Sequence, residues 1–300
     1  MHPLDNICFQ VSRKVSYFLL HLYDLKGADY LRKKLCSWLV PPPEGSTICP
    51  TLFDVDILVD SLDWIGKSIY YYGEYEAGTL LVFKDFLHAG DVFLDVGAYI
   101  GFHTCVVAKF VGESGFAYAI EPNPEIYKIL LTNIRINKLT NISPLKIALG
   151  AEESEARIYD YDRANRGSAS LIRPQGINEE SGKLVRVATI DRLIENEQLR
   201  VPNLIKIDVE GFELEVLKGA KILLEGSQAP MLCVEYSNLL PKYRGTARDI
   251  YTFIKSVNDY SFYKLKKGKG VPSELVRISR EQELPDHDNV FCFLNEHLNR

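Results

Sequence analysis

The chain has 300 residues, 46% of them hydrophobic and 25% charged. Those proportions suit a folded globular protein and exclude disordered, fibrous and membrane-spanning classes. At about 150 residues per domain the length allows two domains, although α/β folds of this size often stay single. The 35 basic and 40 acidic side chains leave a formal charge of −5, so no overall basic field exists to hold nucleic acid by its phosphates.

Residues 1–40 carry Arg13, Lys14, Lys26, Arg32, Lys33 and Lys34 against Asp5, Asp24 and Asp29, a local charge of +3 that leaves −8 for the rest. Val11, Val15, Phe18, Leu19, Leu22 and Leu25 fall at helical spacing and form one apolar stripe. The stretch from Val15 to Leu25, interrupted by His21 and Asp24, is too short and too polar to span a bilayer, and no small-residue cleavage site follows it. A basic amphipathic helix of this kind either packs its stripe on the protein body or a partner subunit, or lies on a membrane surface. We expect the first. Pro41-Pro42-Pro43 then stops the helix and reads as a stiff joint, so residues 1–45 form an extension to a main domain at 46–300.

Beyond the joint, strand-like and helix-like segments alternate. Val92–Val96, Ala117–Ile120, Ile142–Leu149, Leu204–Asp208 and Met231–Glu235 read as strands. Helices are expected through about Phe110, near Glu125–Asn137, over Glu213–Leu224 and near Ala247–Val257. Phe262–Leu265 and Asn289–Leu294 close the chain as a pair suited to an antiparallel sheet edge. Alternation of this kind predicts an α/β fold, a mostly parallel Rossmann-like sheet with helices on both faces. Residues 151–203 lack the rhythm and read as an insertion after the third strand, a lid over the acceptor with short strands at Ala156–Tyr159 and Leu184–Ile190. Cys8, Cys36, Cys49, Cys105, Cys233 and Cys292 form no CxxC pair, so reduced thiols in a cytoplasmic setting are the simplest reading, and a zinc knuckle is not supported.

In an open parallel sheet, ligands bind beyond the carboxyl ends of the strands, near the point where strand order reverses. After the first strand come Gly97 and Gly101, which permit a sharp turn and close packing of the next helix. The second strand ends in Glu121-Pro122, and a carboxylate there can accept hydrogen bonds from both hydroxyls of a ribose. The turn is neither GxGxxG nor GK[ST], so an adenosyl ligand without a pyrophosphate fits better than a dinucleotide.

Asp95-Val-Gly-Ala-Tyr-Ile-Gly101, Ala119-Ile-Glu-Pro-Asn-Pro124 and Leu204-Ile-Lys-Ile-Asp-Val-Glu-Gly-Phe-Glu213 resemble the FkbM-like family of class I S-adenosylmethionine-dependent methyltransferases. Thr189-Ile-Asp-Arg-Leu193, Val216-Leu-Lys-Gly-Ala220 and Pro230–Glu235 extend the resemblance, which runs from about Gly73 to Glu235. The resemblance implies S-adenosylmethionine as cofactor, with Gly97, Ala98, Tyr99 and Gly101 shaping the loop around its methionine part and Glu121 and Pro122 at its ribose. It also implies that Asp95 supports the loop or the cofactor's amino group, that Glu76 faces the same ligand, and that Thr104 touches it. Tyr99 departs from the small or amide residue usual in that family. Tyrosine takes a positive φ reluctantly, so the loop is expected to be slightly altered.

Asp208 ends the fourth strand, where such enzymes place residues that meet the acceptor. An alcohol acceptor must lose its proton, which asks for a base or a cation that lowers its pKa. Asp208, with Glu210 in support, is the candidate base; alternatively it binds a divalent cation with Glu210 or Glu235, or the two carboxylates merely cap the helix near Glu213. Two carboxylates without a third fixed ligand do not establish a metal site. Arg166 and Ser168, in a loop also holding Arg163 and Arg173, together with Glu235 and Tyr236, are candidates for contact with the acceptor. His88 and His103 read as surface or packing residues. Tyr70-Tyr71-Tyr72 could stack on a sugar, although strand packing explains them equally well.

The expected activity is methyl transfer to an oxygen, a hydroxyl on a sugar, glycan or related natural product, and the preference for oxygen comes from the resemblance alone. A nicotinamide-dependent oxidoreductase on the same sheet, and a catalytically idle adenosyl-binding scaffold, are the competing readings. Partners would be the acceptor and, through residues 11–39, a membrane surface or another subunit, with no nucleic acid.

Overall fold

The computed structural model describes residues 3–22, 25, 27–40, 45–60, 62–160, 169–173, 176–237 and 246–299. The proline joint at 41–43 lies outside them. The chain opens with helices α1 (Pro3–Leu20) and α2 (Ala28–Leu39), then a hairpin of β1 (Ser46–Pro50) and β2 (Asp56–Asp60) and helix α3 (Trp64–Tyr72). Asp63 caps α3 by accepting from the Gly66 amide at 2.8 Å.

The opening extension folds as two helices, and the face turned inward is not the predicted apolar stripe. Helices α1 and α2 run antiparallel, with Cys36 Sγ donating to the Ser12 carbonyl at 3.6 Å and Arg32 Nη1 to Ser16 Oγ at 3.3 Å. The face of α1 turned inward carries Ser12, Arg13 and Ser16 beside Phe9 and Leu20. A helix end leaves its last carbonyls unpaired and negative, and here Arg13 supplies the donors. Its guanidinium donates to the carbonyls of Ile69 at 3.1 Å, Tyr70 at 2.8 Å and Tyr71 at 2.9 Å, and also to Pro50 at 2.8 Å. Ser12 and Ser16 hydroxyls reach the carbonyls of Tyr71 and Tyr72 at 3.1 and 2.8 Å. Burial pulls Arg13 down to about 10, still high enough to keep it charged at neutral pH. Val11, Phe18 and Leu25 of the predicted stripe are exposed, and Val15, Leu19 and Leu22 only half-buried. Tyr70, Tyr71 and Tyr72 form the last turn of α3 and not a strand.

The chain continues with α4 (Ala77–Phe86), β3 (Val92–Val96), α5 (Phe102–Phe110), β4 (Phe116–Ile120), α6 (Pro124–Ile136) and β5 (Ile142–Leu145). Then come β6 (Ala148–Leu149), β7 (Ser154–Ile158), β8 (Lys183–Ala188), α7 (Ile190–Glu195), β9 (Leu204–Ile207), α8 (Glu213–Lys218) and α9 (Lys221–Glu225). The chain ends with β10 (Met231–Ser237), α10 (Ala247–Val257), β11 (Ser261–Leu265), β12 (Leu275–Ile278) and β13 (His287–Phe293).

Eight strands form the central sheet in the order β12-β11-β13-β10-β9-β3-β4-β5. From β5 to β10 they are parallel; β13 runs antiparallel to both β10 and β11. The edge pair predicted at the C-terminus is thus a three-stranded antiparallel extension, with β13 inserted between its predecessors. Strands β3 and β10 are buried along their whole length, which explains their continuous apolar runs. Apolar clusters fill both faces, one containing Leu94, Ile205, Val234 and Ile254, the other Phe93, Leu204, Cys233 and Phe291.

Two predicted elements are divided. The third strand leaves the main sheet after Leu145, because Ala148–Leu149 pairs with β8 in a separate sheet of order β6-β8-β7. The helix expected over Glu213–Leu224 breaks at Gly219, where a Cβ would lie 1.9 Å from the Gly150 carbonyl oxygen, so only glycine lets the two backbones meet. All six cysteines are free. No helix among the described residues is long and apolar enough to cross a membrane.

Candidate active site

Sheet order departs from β3 in both directions, so the crevice between the ends of β3 and β9 is the switch point. The first residue past β3 is Gly97, with φ +86°; a Cβ there would lie 1.8 Å from the Asp208 carbonyl oxygen. The Asp208 amide in turn donates to the Val96 carbonyl at 3.0 Å, so the two strand ends are locked together. Two residues on, Tyr99 adopts φ +51° despite its side chain. Its amide donates to Glu121 Oε2 at 3.0 Å, while the Asn123 amide donates to Glu121 Oε1 at 2.8 Å. The glutamate clamps the loop in the left-handed conformation, so tyrosine is accommodated where reluctance was expected. Burial pushes the Glu121 carboxyl up to about 8 against the pull of the two amides.

Around this clamp lies a partly open cavity. Gly97, Tyr99, Glu121, Pro122 and Asp208 line one side, and Ile158 and Ala169–Leu171 of the insertion line another. The insertion therefore walls the crevice beside Glu121. Ser170 is buried there, its hydroxyl donating to the Glu210 carbonyl at 2.8 Å and so tying the insertion to the turn after β9.

Other candidates lie away from the cavity wall. Ala98 is buried against Ala119 and Leu130, and Gly101 starts α5 over Leu130. Thr104 donates to Asp95 Oδ2 at 2.6 Å and so supports the carboxylate. Asp95 Oδ1 is buried without a hydrogen-bond partner, and burial raises the Asp95 pKa. The structure does not bring Tyr236 to the acceptor side: it is fully buried in the apolar core beneath the sheet. Glu210 stands in the left-handed region at φ +55°, half-buried in the turn. Arg166 and Ser168, with Arg163, lie outside the described residues; Arg173 is exposed.

The helix-capping role considered for Asp208 and Glu210 falls away. Phe212 is the N-cap of α8, without a side-chain bond, and Glu213 itself accepts from the amides of Val209 at 3.1 Å and Gly211 at 3.0 Å. Asp208 instead pairs with Lys206 at 2.8 Å, a lysine buried two residues earlier in β9. Burial alone would raise the Asp208 pKa, but Lys206 and Lys269 hold it below the usual carboxylate range.

Asp208 also joins a buried cluster that the sequence reading met only in part. Oxygens of Glu76, Asp208 and Glu235 lie within 4.8 Å of one another. Lys269 Nζ sits 2.8 Å from Glu76 and 2.6 Å from Glu235. Asn289, opposite Glu235 in the register of β13 on β10, donates to Glu76 Oε2 at 3.0 Å. His103 Nε2 approaches the same oxygen at 3.5 Å, and burial pushes that imidazole down to about 3, so it is neutral. Glu235 is raised well above its ordinary value by burial and by Asp208. Glu76 thus belongs to this cluster and not to the cavity wall.

The third carboxylate that a cation site needs is therefore present, but its charge is already answered. Lys269 spans two of the acids and Lys206 holds the third, so a divalent ion would have to displace an ammonium. The residues do not fit a resident metal. Lys206, Lys269 and Asn289 are the site residues that sequence reasoning missed. Only Lys206 carried a signal, a lone charge inside an otherwise apolar strand.

Comparison with known proteins gives this geometry its relatives. The family described as the methyltransferase FkbM domain matches residues 95–262, more than half of the chain. The hexuronic acid methyltransferase AglP of Haloferax volcanii is 32% identical over 129 residues, 43% of this chain and 49% of that protein. A tRNA(Phe) (4-demethylwyosine(37)-C(7)) aminocarboxypropyltransferase of Methanocaldococcus jannaschii is 33% identical over 81 residues, 27% of this chain and 31% of that protein. The match thus spans about half the length of the first relative and less of the second. Among solved structures, M. jannaschii TYW2 in complex with AdoMet aligns with a TM-score of 0.43 at 16% identity, over 84% of this chain and 86% of that one.

Proposed function

The chain belongs to the methyltransferase FkbM family, and its matched domain is an S-adenosylmethionine-dependent methyltransferase domain; of the whole protein we propose that it methylates a hydroxyl oxygen of a sugar. The single observation that carries the reading is the double membership of Asp208, which lines the switch-point cavity and also belongs to the buried charge cluster. A group in that position can address a ligand in the cavity and an acceptor beside it. The sugar preference rests on a relative named for hexuronic acid.

Bound S-adenosylmethionine supplies an electrophilic methyl carbon. Glu121 suits its ribose: each carboxylate oxygen takes one amide and keeps a lone pair for a hydroxyl donor. Asp95 Oδ1, a buried acceptor without a partner, suits a donor such as the cofactor's ammonium group. Asp208, kept ionised by Lys206 and Lys269, accepts a hydrogen bond from the acceptor hydroxyl and aims its oxygen. Its low basicity is sufficient, because a hydroxyl oxygen that is forming a new bond to carbon becomes strongly acidic. Lys269 and Asn289 hold Glu76 and Glu235 still, so the acid cluster stays compact around the acceptor.

The test uses the full chain and a panel of glycosides and uronates with a labelled methyl donor. Asp208→Asn should slow transfer by about a hundredfold or more while cofactor affinity by calorimetry changes by less than about threefold. Full activity in that variant would remove Asp208 from the reaction. Transfer to some other acceptor class, with none to any sugar hydroxyl, would overturn the substrate reading and leave the enzyme class standing.

A further inference from the structure

The exposed apolar residues of the N-terminal helices have no role in the methyl-transfer site. In α1, Ile7, Val11, Lys14 and Phe18 follow at intervals of four, three and four residues and so share one face. In α2, Leu31, Lys34 and Trp38 do the same. All seven are exposed: Ile7 is 57%, Phe18 64% and Trp38 81% accessible. The opposite faces, with Phe9, Ser12, Arg13, Ser16, Leu20, Arg32 and Cys36, are buried against α3 and against each other. Water thus meets a row of large apolar side chains on the hairpin while serines and arginines share the buried side with Phe9 and Leu20, an outer face more apolar than a helix on a soluble surface presents.

We propose that this outer face of α1 and α2 is a docking surface for an anionic lipid membrane. The apolar side chains are of the kinds that enter the interfacial layer, aliphatic and aromatic with an indole among them. Lys14 and Lys34 stand within the face and have no ion-pair partner among the described residues. Their four-carbon stems can lie along buried apolar neighbours while the ammonium groups reach phosphate oxygens. The same two charges argue against a second copy of the chain: a twofold contact would press like charges together in a dehydrated interface. The hairpin's anchor to the body is polar and specific, through Arg13 on the end of α3, and Arg32 on Glu74 at 2.7 Å, so the face is held outward whether or not lipid is present. The inference stands apart from the identity of the methyl acceptor.

Flotation of the full chain with vesicles decides it. Binding to vesicles of phosphatidylcholine with one-third phosphatidylglycerol should exceed binding to pure phosphatidylcholine by about tenfold or more and should weaken as salt is raised. Lys14→Gln and Lys34→Gln should each weaken it about fivefold. Phe18→Glu with Trp38→Glu should weaken it by about a hundredfold, with unchanged circular dichroism and cofactor affinity showing that the domain is intact. In a Trp64→Phe background Trp38 is the sole tryptophan, and its emission should shift to the blue on anionic vesicles. Failure of the wild-type chain to bind, or equal binding by the Phe18→Glu, Trp38→Glu variant, would overturn the proposal. So would a wild-type dimer that this variant dissolves with no vesicle binding, since the face would then belong to a second copy.

Discussion

Replacing Lys206 with methionine removes the nearest positive charge to Asp208. Lys206 Nζ and Asp208 Oδ2 are 2.8 Å apart, with the lysine side chain 3% and the aspartate 20% accessible. At an effective dielectric of about 20, two unit charges at that separation attract by about 6 kcal/mol. Desolvation of both groups offsets much of this, and the loss of one partner of such a pair costs about 3–5 kcal/mol. Lys206→Met should therefore lower unfolding stability by that amount in urea titrations at pH 7. In the double variant with Asp208→Asn no charge is stranded, and the loss should fall to about 1–2 kcal/mol, a coupling of about 2 kcal/mol or more. The pH dependence has a fixed sign. In the wild type the Asp208 pKa lies below its ordinary value, so its contribution is present above that value and fades only as the pH falls through the lowered one. Without Lys206, burial dominates and raises the pKa, and the contribution then shrinks as pH rises. The stability gap between wild type and Lys206→Met should accordingly narrow from pH 8 to pH 5. Additive single variants, with a coupling under about 0.5 kcal/mol, or a gap that widens in acid, would refute the pairing as the reason Asp208 stays ionised.

The cavity and its loop yield two more expectations. Because burial lifts Glu121 to about 8 and ribose hydroxyls favour the ionised form, affinity for S-adenosylmethionine should climb from pH 6 to pH 8 and then level off. Glu121→Gln should weaken binding roughly tenfold to a hundredfold and flatten that climb; calorimetry showing an unchanged dissociation constant would exclude the ribose role. Gly97→Ala places a Cβ 1.8 Å from the Asp208 carbonyl at φ +86°, so it should cost about 3 kcal/mol or more and separate the strand ends. A variant with wild-type melting temperature and cofactor affinity would show that the crevice does not depend on that contact.

The parallel strands were legible in the sequence because their signal is local. Val92–Val96 and Met231–Glu235 read as buried strands from their own composition, and Gly97, Glu121 and Asp208 could be located from the strand ends they follow. Residues whose partners come from the same turn or the neighbouring strand were found this way. Periodicity also found a helix at α1, but its predicted stripe ran past Leu20 and could not say which face turns inward. That choice depends on the carbonyls at the end of α3, which Arg13, 57 residues away from Tyr70, satisfies. The breaks at Leu145 and Gly219 escaped for a similar reason, since each follows from pairing or contact with a distant strand.

The strands that frame the Gly97–Gly101 loop, the acid that clamps it and the carboxylate at the end of the fourth parallel strand are properties of this amino-acid order, because short-range patterning suffices to place them. Beyond Lys206 in its own strand, the charges around that carboxylate were brought together only by folding. Asn289 meets Glu76 across 213 positions, and Lys269 arrives from the antiparallel extension to sit between Glu76 and Glu235. Neither residue carries a local mark of its role; electrostatics depends on distance in space, and only the sheet's register sets that distance.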